Sequence, residues 1–145
     1  MNRVWLLGIV ILAGCTRPMP SPNPDKAWVA LHLEAPSAAS LLMADRLDDQ
    51  RTADGRYFQV TPGAHELVVR YQFEMGGPLM GGGSLSSQTE PRRITCYMSI
   101  TYEAFKAGER YQVRASSYMT EPRVVFLDRA GRSLGKVRKQ QCLPY

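Results

Sequence analysis

The sequence predicts a single all-β domain, an antiparallel two-sheet β-sandwich that follows an N-terminal signal peptide and a Pro-rich linker. Three observations lead there. Beyond residue 26 the dominant hydrophobic period is two, the period of strands with one wet face. Pro-Gly, Asp-Gly and Ala-Gly pairs punctuate that pattern at short intervals. The ~120 residues that carry it are enough to enclose one core and too few for a second domain. The whole chain has 145 residues, 44% of them hydrophobic and 21% charged, so a multidomain enzyme is excluded.

The N-terminal segment is read as an export signal. Arg3 supplies the positive charge, and Val4 to Leu12 is an apolar run of nine residues, too short to span a bilayer and long enough for a signal peptide. Directly behind it, Leu12-Ala13-Gly14-Cys15 resembles the bacterial lipobox. That resemblance implies cleavage after residue 14, acylation of Cys15 and a covalent lipid as the only non-protein group, with no other cofactor and no metal. Thr16 stands where an aspartate would retain such a lipoprotein in the inner membrane. The implied location is the outer membrane, on the periplasmic side. More than one acyl chain gives durable anchoring where a single chain does not.

From Pro18 to Pro24 every second residue is proline, which favours an extended polyproline II spacer. Three regions follow: residues 1–14 as the signal peptide, 15–26 as lipidated cysteine and spacer, and 27–145 as the β-sandwich.

Within the domain, Val29, Leu31 and Leu33 alternate with Trp28, Ala30, His32 and Glu34. Leu41 to Arg46 and Tyr57 to Val60 read as strands around a loop containing Asp54-Gly55, in preference to a helix begun by Ser37. Pro62-Gly63 suits a type II turn, because proline presets the first central residue and glycine supplies the positive φ of the second. Leu67, Val69, Tyr71 and Phe73 then share one face, with Val68, Arg70, Gln72 and Glu74 on the other. Ile94, Cys96, Met98, Ile100 and Tyr102 form the next apolar face, opposite Arg93, Thr95, Tyr97, Ser99 and Thr101. After a break at Lys106-Ala107-Gly108, Tyr111, Val113 and Ala115 alternate with Arg110, Gln112 and Arg114. Val124 to Asp128, a turn at Ala130-Gly131 and a short strand over Leu134 to Val137 complete seven or eight strands, the number expected of a sandwich.

With Cys15 acylated, Cys96 and Cys142 remain as an even pair in an oxidising compartment, and a disulfide stapling the C-terminal tail is expected. Metal ligation lacks partners, since there is no CxxC and neither His32 nor His65 has a companion at ligand spacing. His65 is expected at a strand edge with a satisfied ring, and His32 on a wet face. Asp45, Asp48 and Asp49 are read as solvated loop charges. No GxSxG or other nucleophile signature is present, so no catalytic residue is assigned and the protein is expected not to be an enzyme.

Charge is divided along the chain. Asp25 to Pro91 holds 5 basic and 9 acidic residues, Arg92 to Tyr145 holds 11 and 4. The basic half lacks the interleaved aromatics of a nucleic-acid platform, and an exported chain does not meet nucleic acid. Between two strongly marked strands lies Gly76-Gly77-Pro78-Leu79-Met80-Gly81-Gly82-Gly83-Ser84, which lacks the GK[ST] of a phosphate loop and is assigned as a partner-binding loop.

Leu42 to Asp45, and Tyr57 through Pro62-Gly63-Ala64-His65-Glu66-Leu67-Val68-Val69, resemble the turn-then-strand pattern of PEGA-like and transthyretin-like modules. Phe105-Lys106-Ala107-Gly108-Glu109-Arg110-Tyr111 is similar to the AG-x-x-Y pattern of small bacterial outer-membrane lipoproteins that carry such a domain. The resemblance covers about 70 residues; the Met75 to Thr89 insertion departs from it. It implies a non-enzymatic envelope module, anchored to the membrane and engaging an envelope protein. Two alternatives stand beside it. One is a periplasmic inhibitor of a lysozyme-like enzyme, whose SG-x-x-Y loop Ala107 to Tyr111 weakly resembles. The other is a lipid- or glycan-binding module using the basic half.

Overall fold

Alternating apolar side chains commit each segment to a half-buried strand, and the strands assemble into two layers. The computed structural model of the protein describes residues 17–34, 39–75, 92–118 and 121–144. Among these the chain forms β1 (Ala27–Leu33), β2 (Leu41–Leu47), β3 (Gln50–Arg51), β4 (Tyr57–Val60), β5 (Gly63–Met75), β6 (Arg92–Phe105), β7 (Arg110–Tyr118), β8 (Glu121–Leu127) and β9 (Lys136–Pro144), with no helix among the described residues. One sheet runs β4-β1-β7-β8 and the other β3-β2-β5-β6-β9.

The core is what period two dictates. Leu67, Val69, Tyr71 and Phe73 of β5, with Cys96, Met98 and Ile100 of β6, face Val29, Phe58, Val60, Val113, Ala115 and Phe126 of the other sheet. One end is closed by rings. Tyr102, Phe105, Tyr111 and Phe126 meet one another with centroids 5.1 to 5.9 Å apart, mostly edge to face.

The structure departs from the expected antiparallel arrangement at one pair. β1 and β7 run parallel, with Trp28 opposite Arg110 and Leu33 opposite Ala115, while every other named strand pair is antiparallel. A hydrophobic period fixes which face of a strand is buried, and a parallel neighbour 82 residues away leaves no mark in it. The last strand also lies further along than Leu134 to Val137. It begins at Lys136 and runs to Pro144, because its ladder with β6 places Cys142 opposite Cys96.

The outward face of the five-stranded sheet is less wet than its polar residues imply. Thr95 and Ser99 are buried, and Gln72 Nε2 donates to Thr95 Oγ1 at 2.8 Å.

Candidate functional site

Three constellations on the surface combine polar chemistry with defined geometry. The first sits at one end of the sandwich. Asp48 and Asp49 form the β2–β3 turn with φ of 49° and 63°, a left-handed conformation that aspartate tolerates better than most residues. His65 Nδ1 lies 2.6 Å from Asp48 Oδ2, and the carboxylate is an acceptor only, so the ring donates there. Thr61 Oγ1 is 3.0 Å from His65 Nε2, and Glu66 N–H donates to Asp48 Oδ1 at 3.0 Å. Burial pushes the Asp48 carboxyl up, but the Glu66 N–H and the His65 hydrogen bond and charge together bring it below its ordinary value. The order Thr61, His65, Asp48 is that of a nucleophile, base and orienting acid. Pro62, however, removes the N–H that follows the nucleophile in such relays and serves an oxyanion. What the arrangement does is tie the β2–β3 turn and Thr61 to the start of β5, where Pro62 forms a bend and Gly63, with φ +118°, opens the strand, in place of the type II turn expected from sequence. Both nitrogens of His65 are engaged, as its strand-edge reading expects.

The second constellation lies along the flank formed by β3, β4 and their connection. A β-bulge between Ala44 and Arg46 leaves Asp45 outside the ladder with β5, against Arg51 and Thr52. Asp45 is therefore buried, in contrast to the solvated loop charge read from sequence, with Arg46 Nε at 3.5 Å and Arg51 Nη1 at 3.7 Å. Thr52 follows it, donating N–H to Asp45 O and Oγ1 to Ala44 O. Two adjoining clefts open here. One, of about 300 Å³, is lined by residues including Leu47, Arg51, Asp54, Tyr57 and Gln59. The other, of about 210 Å³, is bordered by residues including Met43, Asp45, Arg51, Gly55 and Arg70. Arg70 Nη2 rests 3.1 Å from Met43 Sδ, and its Nε is enclosed without a hydrogen-bond partner.

On this flank the Pro-rich segment is tied to the domain at two points. Arg56 Nη1 donates to Arg17 O at 2.9 Å while its Nε and Nη2 grip Asp54 at 2.6 to 3.2 Å. Asn23 N–H donates to Gln59 Oε1 at 3.1 Å. The Arg56 guanidinium holds the Asp54 carboxyl down at about 2.

The third constellation is the tail. Cys96 and Cys142 form a disulfide across β6 and β9, with 46 residues separating them in sequence, as their even number predicts. Beside it β9 carries Lys136, Arg138 and Lys139, all exposed, with Lys139 Nζ 3.8 Å from Glu121 Oε2. On the opposite sheet Trp28 stacks on Tyr57 at 4.4 Å and 12°, on the face that also presents Arg110.

The AG-x-x-Y pattern has a structural cause. Gly108 takes φ +73° in the β6–β7 turn, and Lys106 N–H donates to Tyr111 Oη at 3.2 Å, so the motif closes a turn on its own tyrosine. Burial raises the Tyr111 hydroxyl pKa against the lowering effect of that bond.

Of the residues singled out from sequence, Cys15 and the loop Gly76, Gly77, Pro78, Leu79, Met80, Gly81, Gly82 and Gly83 lie outside the described residues. Thr61 and Arg56 were not singled out. Thr61 and His65 meet where the chain passes from β4 in one sheet to β5 in the other, a crossing that no motif in the sequence marks. Among the described residues no helix is long and apolar enough to cross a membrane, and no group of three or more His, Cys, Asp or Glu is placed to hold a metal ion. The comparisons with family models, curated proteins and solved structures each give no match. What is shown is an all-β sandwich of two sheets carrying one cross-strand disulfide.

Proposed function

We propose that the protein is a lipoprotein anchored through Cys15 to the outer membrane, facing the periplasm, and that it acts there as a non-enzymatic structural or protein-interaction module of the cell envelope. The observation that carries this reading is Leu12-Ala13-Gly14-Cys15 directly behind nine apolar residues. A disulfide-stapled domain is consistent with it, because such bonds persist in oxidising compartments. So is the two-sheet sandwich, whose polar constellations clamp turns and flanks. The loop Gly76 to Gly83 is the proposed partner contact, with PEGA-like or transthyretin-like ancestry as the finer reading of the fold.

The test is palmitate incorporation in cells, followed by mild crosslinking and affinity isolation of the C-terminally tagged chain, beside Cys15→Ala and a deletion of residues 76–84. Acylation lost in Cys15→Ala, and a stoichiometric envelope protein lost in the deletion, support the reading. Absence of acyl groups on the unaltered chain refutes the anchor, and absence of any partner refutes the interaction role.

A further inference from the structure

The two ties on the Pro-rich segment change what that segment does. A free polyproline spacer would let the domain tumble above its anchor. Here Arg17 O is held by Arg56 and Asn23 N–H by Gln59, so the segment runs alongside β4 with both ends fixed to that strand's side chains or to the residue before it. Cys15 is two residues before Arg17, and a chain spans at most ~3.6 Å per residue, so the anchoring sulfur's residue is within roughly 7 Å of the Arg17 Cα. An anchor on Cys15 would thus be confined to within that reach of Arg17, which is tied to the β3–β4 flank.

The charges on that flank are layered. Arg46, Arg51 and Arg56 have side chains 45%, 72% and 40% exposed, whereas the carboxylates they pair with, Asp45 and Asp54, are 7% and 23% exposed. Arg17 is exposed as well. On this stretch the arginines lie outermost and their partner carboxylates beneath them, apart from Asp48 and Asp49 at the turn end of the flank and exposed Asp25 just beyond the arm. Arginine presents a planar fork of donors suited to phosphate oxygens. By contrast, β9 lies at the far side of the five-stranded sheet, four interstrand spacings of ~4.8 Å from β3, or roughly 19 Å.

We infer that residues 17–23 form a docked arm that sets the orientation of the domain on the membrane. The β3–β4 flank, with Arg17, Arg46, Arg51 and Arg56, rests against the phospholipid phosphates, and β9 is turned away. The inference rests on the lipid anchor at Cys15 proposed above. Its consequence is that a partner meets the β6–β9 side and the free ends of the sandwich, and not the flank containing the two clefts.

The experiment places a genetically encoded fluorescent amino acid at the exposed position of Ala53, on the flank, or of Gln140, on β9, in the full chain. The acylated protein is reconstituted in phosphatidylcholine–phosphatidylglycerol vesicles containing a lipid with a nitroxide on its headgroup. Contact quenching at position 53 is expected to exceed that at position 140 at least threefold. Arg56→Ala should bring the ratio close to one, and Gln59→Ala, which leaves the charge unchanged, should lower it. Equal quenching at the two positions in the otherwise unaltered protein overturns the orientation, and a ratio unmoved by both substitutions overturns the role of the arm. If mass spectrometry finds no acyl group on Cys15, the anchor reading fails by itself. The same comparison, on chain coupled through Cys15 to a maleimide phospholipid, then decides the arm independently.

Discussion

Removing the Cys96–Cys142 disulfide should both destabilise the domain and loosen one strand before the rest. The bond closes a loop of 46 residues in sequence, and chain-entropy arithmetic for a loop of that length gives about 4 kcal/mol at 25 °C. A domain of ~120 residues has an unfolding entropy near 0.25 kcal/mol/K, so the expected fall in Tm is about 15 °C. The loss is not uniform. Of the nine residues in β9 only Val137 and Cys142 are half-buried, and the others are exposed. Apolar burial therefore adds little to hold the strand, leaving its ladder with β6 and the disulfide. In Cys96→Ala/Cys142→Ala, thermal unfolding by circular dichroism should show the lowered midpoint. Amide hydrogen exchange should show the β9 amides opening at a free energy several kcal/mol below that of β5 and β6. A Tm within ~5 °C of the unaltered protein, with β9 amides still as protected as those of β6, would refute the reasoning.

The turn clamp gives a pH-dependent prediction. The Asp48 carboxyl has a lowered folded pKa, so its contribution to stability is complete above the ordinary value of 3.8 and is lost as pH falls through the lowered one. Asp48→Asn should cost about 1 kcal/mol at neutral pH and flatten stability across that acid window, read by denaturant unfolding at several pH values. Asp54 should titrate at about 2 by carboxyl carbon NMR and return toward 3.8 in Arg56→Ala; an unchanged midpoint would show that the Arg56 fork is not formed in solution. Gly135 has φ +63° and an added Cβ would stand 2.5 Å from Thr101 O, so Gly135→Ala should cost about 2 kcal/mol or more, seen as a lower urea midpoint. Tyr111→Phe deletes the acceptor of Lys106 N–H and should cost about 1 kcal/mol in the same assay.

Much of the layer architecture was legible in the residues. The apolar faces of β5 and β6 were assigned side chain by side chain, because a strand with one buried face writes period two into its sequence. Cys96 and Cys142 were legible by number and compartment. Pairing across the sheet was not, since Val29 is equally apolar beside a parallel or an antiparallel β7. Asp45 reads as a loop charge because nothing in the sequence marks the bulge that leaves it outside the ladder of β2 with β5 and covered by its neighbours. The tie from Arg56 to Arg17 spans 39 residues and joins a side chain to a carbonyl, which every residue type provides equally. Nothing in the identity of Arg17 announces it.

Among the described residues the strand order leaves four sheet edges, and each carries a feature that discourages a further strand. β3 has two residues, and Thr52 and Gly55 bond to Asp45 and Ala44 of β2 beyond it. β4 is flanked by the arm that Arg56 and Gln59 hold. β8 carries Pro122, which offers no N–H, with Arg123 beside it. β9 bears Lys136, Arg138 and Lys139 and an irregular register opposite Tyr97 and Met98. Charges, proline, brevity and bulges are the means by which β-proteins avoid fusing edge to edge. Among the described residues these features disfavour polymerisation through the backbone, and they leave side chains and turns as the surface by which a companion would be told apart.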